Sequence, residues 1–224
     1  MPTTNAARAS ITAVALVAAA VLAPRVAAAQ ESLTTGIFAR TGFVMTSLDP
    51  SSMSFAPQQV RGHGRGPGTL SIDGKYLGWT GQVPLAGFSG GLTVDARWFY
   101  ARVGADIYQN PAILANADLF DARFTTIAWV SAGPRFRVGP VVLSAGVRIG
   151  VLLMNVTETA TGRDWSAVDG VYAVDAGIQW RPLRWFEVDA NVGHDFFGPT
   201  AATTFSVAAN FGWSRTPATA VTPR

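Results

Sequence analysis

The sequence contains no cysteine. The chain can therefore form no disulfide, no thiolate metal site and no covalent intermediate on a cysteine. Charge is also scarce, because only 14% of the 224 residues are charged while 49% are hydrophobic. Ordinary soluble domains carry about 25% charged residues. These two shortages argue against a disulfide-stapled secreted domain and against an ordinary soluble domain.

Long apolar runs are missing as well. The run 11–23 spans 13 residues, and a helix of that length rises only about 20 Å, short of the roughly 30 Å hydrocarbon core of a bilayer. Arg8 precedes the run, and the small residues Ala27, Ala28 and Ala29 follow it. This order predicts a cleaved signal peptide, residues 1–29, and an exported protein rather than a helical membrane anchor. No cysteine follows the small residues, so a lipoprotein is not expected.

Excess positive charge is small. The formal net charge is +3, and two of the basic residues, Arg8 and Arg25, lie in the predicted signal peptide. A nucleic-acid-binding protein needs a clustered basic surface. We therefore expect no nucleic-acid partner.

Alternation of apolar and polar residues is the dominant pattern that is present. Between Phe186 and Phe196 every second residue is apolar except His194, and polar or small residues stand between them. The same split recurs between Phe205 and Trp213. A period of two predicts strands with unlike faces. Eight strands are predicted in this way, at about 33–45, 86–96, 99–107, 122–138, 141–153, 170–181, 186–196 and 205–213.

Short and long connections alternate between these strands. An exported apolar chain without a spanning helix has one common membrane solution, a closed barrel. We predict an all-β fold, an antiparallel up-and-down transmembrane β-barrel of about eight strands over residues 30–214, followed by a disordered tail, 215–224. The stretch 72–79 could form a hairpin with the residues before it, so a barrel of ten strands is the alternative. The predicted short turns are 95–98, 139–140 and 181–184, and the predicted longer loops are 47–83, 109–121 and 157–167.

The character of the two faces indicates which one meets lipid. The polar face holds small and charged residues that suit a narrow lumen, and the apolar face carries aromatic residues towards the strand ends, as an interfacial girdle requires. A soluble barrel with the apolar face inside is the alternative that alternation alone leaves open. The predicted periplasmic girdle is Phe99, Phe136, Trp180, Phe186 and Trp213, and the outer girdle is Phe124 and Phe196.

Together, the signal peptide, the eight alternating strands and the final Phe211-Gly212-Trp213 resemble the small outer-membrane barrels of the OmpA/OmpX class. The resemblance implies the outer membrane of a Gram-negative bacterium, contact with membrane lipid and lipopolysaccharide, and insertion by the barrel assembly machinery. It covers the barrel domain only, so the peptidoglycan-binding domain of full OmpA-like proteins is not expected. The chain departs from the class in continuing from Ser214 to Arg224 beyond its last aromatic residue.

Charged residues on the polar face are the first candidate site. An eight-stranded barrel is just wide enough for its own side chains, and an unpaired buried charge is costly. We therefore expect a lumen plugged by ion pairs, including Arg148 with Asp175, and a small conducting channel is the alternative. The candidate lumen charges are Arg102, Asp106, Arg148, Asp175, Glu187 and Asp189. Further partners for them are Arg123, Arg135, Arg137, Arg181 and Asp195.

Two other motifs could carry a function. His194-Asp195 could suggest a lipid A-modifying enzyme, but alternation directs the two side chains to opposite faces, and general base catalysis needs hydrogen-bond reach. The basic glycine-rich segment 61–68 could contact lipopolysaccharide or an unidentified surface ligand. We expect no catalytic, cofactor-binding or metal site. The expected role is structural or surface interaction through external loops, especially 47–83.

Overall fold

The computed structural model describes residues 35–57, 72–75, 77–110, 120–122, 124–138, 141–197, 199–200 and 202–215. The predicted signal peptide, the segment 61–68, Arg123, the turn 139–140 and the tail from 216 onwards lie outside these residues. Within the described ranges, no helix has the length and apolar character needed to cross a membrane.

Eight long strands form a closed antiparallel barrel, as predicted. Each pairs with the next long strand along the chain, and the last pairs with the first from Thr35↔Arg215 to Met45↔Phe205, which closes the cylinder. In chain order the strands are β1 Thr35–Leu48, β2 Ser54–Pro57, β3 Ile72–Asp73, β4 Val83–Asp95, β5 Phe99–Gln109, β6 Phe120–Asp121, β7 Phe124–Val138, β8 Val141–Glu158, β9 Asp164–Leu183, β10 Phe186–Asp195 and β11 Thr203–Arg215. A short 3-10 helix, Pro50–Ser52, precedes β2.

Three of the described strands are short and lie outside the barrel wall. β2 and β3 form a small hairpin, and β2 also pairs with the far end of β9 through Ala56↔Ser166 and Pro57↔Trp165. β6 pairs with the far end of β8. The ten-stranded alternative is therefore wrong, because the stretch that begins at Ile72 adds to the rim and not to the wall. We call this rim the outer end, and the end with the short turns the inner end.

The β8–β9 hairpin is longer than predicted. The expected loop 157–167 is wrong, because β8 continues to Glu158 and β9 already begins at Asp164. The inward residues Val156, Trp165 and Ala167 are buried in this extension. Their burial explains why the chain stays extended where its polar residues indicated a loop.

Large apolar side chains cover the outside of the barrel wall. Alternation correctly predicted this polarity, and the inverted soluble barrel is excluded. A belt of exposed apolar residues is what a lipid-facing wall requires. Members of the belt from successive long strands are Phe43, Phe88, Val103, Val130, Ile149, Ile178, Val192 and Val207.

Polarity inverts along β8 as it passes towards the outer end. Its outward residues change from Val151 and Leu153, both exposed and apolar, to Asn155 and Thr157. Its inward residues change in the opposite sense, from the polar Ser144 and Arg148 to the buried Leu152, Met154 and Val156. An apolar face must be removed from water. The expectation of a polar interior over the whole barrel is thus wrong at the outer end, where water replaces lipid as the surroundings.

The lipid-facing assignment predicts a depth-dependent cost for a charge. Val130→Arg places a cation on the outward face in the middle of β7 and should lower the free energy of unfolding by about 2–4 kcal/mol, whereas Val138→Arg, on the same face at the strand end, should cost about 0–1 kcal/mol. Denaturant titration of the protein folded in lipid vesicles, followed by tryptophan fluorescence, measures both. Equal costs for the two variants would contradict the assignment.

Candidate functional site

A compact ion cluster occupies the inner end of the lumen. Asp95 lies between two arginines, with its Oδ2 2.7 Å from Nη1 of Arg135 and 2.5 Å from Nη2 of Arg181. Arg181 also contacts Oε2 of Glu187 at 2.5 Å and lies 4.5 Å from the ring centre of Phe38. The side chains of Asp95 and Arg135 are both 0% exposed. The cluster has no net formal charge, which limits the desolvation cost of burying it.

A second cluster lies one step further towards the outer end. Oδ1 of Asp189 accepts a hydrogen bond of 3.2 Å from Nη2 of Arg40, and its Oδ2 lies 4.0 Å from Nη2 of Arg102. Asn210 joins this cluster to the first, because its Nδ2 donates to Glu187 at 3.1 Å and to Asp189 at 2.7 Å. The inner half of the lumen is therefore one connected polar network.

Arg148 does not form the predicted pair with Asp175. Its salt bridge within the described residues is to Asp106, with Nη1 3.7 Å from Oδ2, while Asp175 accepts a hydrogen bond of 2.8 Å from Oγ of Ser131. The prediction failed because strand counting placed the two residues at one height. The register of β8 and β9 instead pairs Arg148 with Ala173.

All six candidate lumen charges lie on inward-facing strand positions. Arg102, Asp106, Glu187 and Asp189 are buried, and Arg148 and Asp175 are half-buried. Two charged members of the network, Arg40 and Asp95, were not among the residues predicted from the sequence. Arg40 was missed because alternation in β1 is weak, since bulky Phe38 and Val44 share its inward face. Asp95 was missed because it was assigned to a turn.

A small polar cavity separates this network from the outer end. Its volume is about 20 Å³, and the lining includes Arg40, Arg102, Asp106, Arg148 and Asp175. A cavity of this volume accommodates about one water molecule. Its polar lining suits a water molecule.

Apolar side chains fill the outer half of the lumen. We call this cluster the outer core, and Leu152 and Met154 within it are 0% exposed. An apolar lumen was not predicted. Its members are Val44, Leu48, Met53, Phe55, Leu77, Trp79, Val83, Leu85, Tyr108, Ala122, Ile127, Trp129, Leu152, Met154, Val156, Trp165, Ala167 and Val171.

Part of the predicted first loop, 47–83, belongs to the outer core. Phe55 packs edge-on against Trp79, with ring centres 5.6 Å apart, and the N–H of Gly74 donates to the carbonyl of Met53 at 2.9 Å. A β-carbon at position 74 would lie 1.7 Å from the carbonyl oxygen of Pro50, so only glycine fits there. Met53, Phe55 and Trp79 therefore fold back into the mouth of the barrel, which the sequence did not predict.

Aromatic residues mark both edges of the apolar belt. Of the predicted girdle, Phe99, Phe136, Trp180, Trp213, Phe124 and Phe196 are exposed, and Phe186 is half-buried. The prediction omitted the exposed Trp98 and Trp185 at the inner end. Both lie in turns, where no alternation exists to assign a face, although each stands next to a predicted girdle residue in the sequence.

His194 and Asp195 lie on opposite faces of β10. His194 is exposed, with Nδ1 3.3 Å from Oγ1 of Thr203. Asp195 is buried and accepts hydrogen bonds from the backbone N–H of Tyr172 and from the hydroxyl of Thr200. These contacts give Asp195 a role in holding the connection between β10 and β11. In the part of the chain that is described, no group of three or more His, Asp or Glu residues is placed to hold a metal ion.

The closed barrel, its exposed apolar belt and its aromatic borders define a class of protein. The chain has the fold of the small eight-stranded outer-membrane β-barrels of the OmpA/OmpX-like class.

Solved structures of outer-membrane proteins are similar to this chain. No protein-family model and no curated protein sequence matches the chain. Neisserial surface protein A matches with a TM-score of 0.52 and 12% identity, over 81% of this chain and 99% of that one. Two structures of Ail, the attachment invasion locus protein of Yersinia pestis, match with TM-scores of 0.48 and 0.45 and identities of 16% and 14%. They cover 81% and 82% of this chain and 100% of Ail, and the first holds the heparin analogue sucrose octasulfate. The likeness to the neisserial protein supports the fold alone.

The inner ion cluster predicts a large effect from one neutral substitution. Asp95→Asn leaves buried Arg135 and half-buried Arg181 facing one carboxylate, and it should lower the free energy of unfolding by about 3–5 kcal/mol. Asp164→Asn removes an exposed carboxylate that accepts one hydrogen bond from Thr157, and it should cost at most about 1 kcal/mol. Denaturant titration in lipid vesicles compares the variants. Similar costs for the two would show that the cluster contributes little.

Proposed function

We propose that this chain is an integral outer-membrane protein of a Gram-negative bacterium, whose barrel is a closed scaffold and whose outer end carries a structural or surface-interaction role. In this proposal residues 1–29 are a cleaved signal peptide, residues 30–214 form the barrel, to which β11 adds Arg215, and the residues that follow are a disordered tail. The barrel assembly machinery inserts the chain, and its wall contacts membrane lipid and lipopolysaccharide.

Two barriers in series support a closed lumen. An ion entering from the inner end would have to displace the pairs that Asp95 and Asp189 make with arginines. It would then meet the outer core, where it would lose hydration without gaining polar partners. The observation that carries this part of the proposal is the outer core, because an apolar barrier does not depend on how the charges below it are arranged.

The length of the β8–β9 hairpin supports a role outside the membrane. A transmembrane strand needs about 9–11 residues, whereas β8 has 18 and β9 has 20. The surplus residues project beyond the apolar belt, and the short strands β2 and β6 pair with the exposed edges of this projection. Because these edges are already paired, they do not invite the addition of another strand. We call the outer ends of β8 and β9, together with β2 and β6, the platform.

The platform is where a surface partner would bind. The basic glycine-rich segment 61–68 belongs to the connection between β2 and β3, so it is attached to this end of the barrel. We propose that it meets phosphate groups of lipopolysaccharide or a surface ligand, since arginine is suited to phosphate recognition. The proposal assigns no reaction to the chain, because His194 and Asp195 cannot act as a pair across the wall.

A closed lumen should conduct no ions across a bilayer. The native chain and Arg148→Ala, both inserted into planar bilayers, should show no steady unitary conductance, because the outer core remains filled when one ion pair is removed. A heat-modifiable gel shift of the same preparations verifies that each barrel is folded. Steady conductance steps in the native chain that change size in Arg148→Ala would establish a channel and contradict the proposal.

The proposed orientation can be tested with single cysteines, since the native chain has none. A cysteine replacing exposed Ala160, at the tip of the β8–β9 hairpin, should react with a membrane-impermeant maleimide on intact cells. A cysteine replacing exposed Ala96, in the β4–β5 turn, should react only after the outer membrane is permeabilised. Labelling of both positions on intact cells, or of Ala96→Cys alone, would contradict the proposed orientation.

A further inference from the structure

Exposed charge at the inner end is of one sign among the described residues. The carboxylates at this end, Asp95 and Glu187, are buried and engaged with arginines inside the lumen. The exposed charged side chains there are Arg97 and Arg184, accompanied by half-buried Arg137. The ion cluster therefore buries the acidic groups of the inner end, and the exposed charge that remains there is positive. We call this surface the basic inner rim.

Each of the two exposed arginines is followed directly by an exposed tryptophan. Arg97-Trp98 lies in the turn between β4 and β5, and Arg184-Trp185 lies in the turn between β9 and β10. Trp98 is 45% exposed and Trp185 is 55% exposed. The guanidinium carbon of Arg97 lies 5.3 Å from the ring centre of Trp98. Tryptophan concentrates at the headgroup level of a bilayer, so the neighbouring guanidinium group lies at the depth of the lipid phosphates.

Both turns are held in place by the same kind of backbone contact. The N–H of Arg135 donates to the carbonyl of Trp98 at 3.0 Å, and the N–H of Gly212 donates to the carbonyl of Trp185 at 2.9 Å. In each case the donor belongs to another long strand of the barrel. The backbone that carries the two Arg–Trp pairs is thus fixed before any ligand arrives, which reduces the ordering cost of binding.

We propose that Arg97, Trp98, Arg184 and Trp185 form a collar that binds the phosphate of anionic phospholipid headgroups in the inner leaflet of the outer membrane. This inference rests on the bilayer placement in the proposed function. Arginine binds phosphate oxygens through two parallel N–H donors, and a basic side chain near an anionic membrane surface strengthens the attraction further. No exposed carboxylate among the described residues competes for these arginines at this end.

The outer end offers a matched control. The guanidinium carbon of Arg163 lies 5.3 Å from the ring centre of Trp165, the same distance as between Arg97 and Trp98, although Trp165 is buried in the outer core. Arg163 directly precedes β9, however, at the tip of the β8–β9 hairpin. Strand rise and tilt place it roughly 20 Å beyond Tyr172, whose carbonyl accepts a hydrogen bond from the N–H of the outer girdle residue Phe196. It therefore lies out of reach of lipid headgroups, and exposed Asp164 follows it in sequence.

The collar can be tested on the full chain folded in phosphatidylcholine vesicles. Electron spin resonance with spin-labelled phosphatidylglycerol or phosphatidylcholine measures which lipid is held at the protein surface. The native chain should prefer phosphatidylglycerol, Arg97→Gln with Arg184→Gln should reduce that preference about five-fold or more at low salt, and Arg163→Gln should leave it unchanged. Added inorganic phosphate at constant ionic strength should not remove the preference, because the site lies where only a membrane-anchored headgroup is concentrated.

Several results would overturn the collar. One is that the folded native chain shows no preference for phosphatidylglycerol, and another is that the double variant keeps the full preference. The others are that Arg163→Gln loses as much of the preference as the double variant, and that inorganic phosphate removes the preference completely. A heat-modifiable gel shift verifies that each variant is folded, which is expected because both arginines are exposed. A native chain that fails to insert at all would overturn the proposed function and the collar together, whereas insertion without lipid preference would overturn the collar alone.

Discussion

The change of surroundings from lipid to water along the barrel axis is the constraint on which the rest of this structure depends. Where lipid surrounds the wall, apolar side chains point outward and the lumen holds charges. Where water surrounds it, the same strands reverse their polarity, and Leu152, Met154 and Val156 form the interior. Each half places its apolar surface away from water. The wall thus combines the apolar exterior of a membrane barrel with, towards the outer end, the apolar interior typical of a barrel in water.

Charge neutrality governs the membrane-embedded half. Arg135 is fully enclosed and is tolerable only because Asp95 lies 2.7 Å away, since an isolated buried charge would cost several kcal/mol. Asn210 then links this cluster to Asp189, so the strands that carry these residues are held in one register by polar contacts. The same pairing leaves the inner rim basic, which connects an internal packing requirement to the proposed recognition of lipid.

Much of the fold was predictable, whereas the partners within the site were not. Alternation located all eight barrel strands and assigned their faces, because a side-chain period of two depends only on local geometry. Pairing in the lumen depends on register and on contacts across the barrel axis. Strand counting predicted Arg148–Asp175 on neighbouring strands, whereas Arg148 pairs with Asp106 of the non-adjacent strand β5. Arg40 was not predicted because it lies in a strand whose inward face also carries two apolar residues. Asp95 was not predicted because it lies next to a turn.

By itself, the sequence determined the class of the molecule: an antiparallel barrel of eight strands with an apolar outer wall. That much follows from the order of side chains along each strand. Only the tertiary structure decided that Met53, Phe55 and Trp79 of the β1–β4 connection fold into the mouth of the barrel, that the outer lumen is apolar, and which charges meet. These features arise between strands distant in sequence, where shear and register set distances that no local pattern encodes.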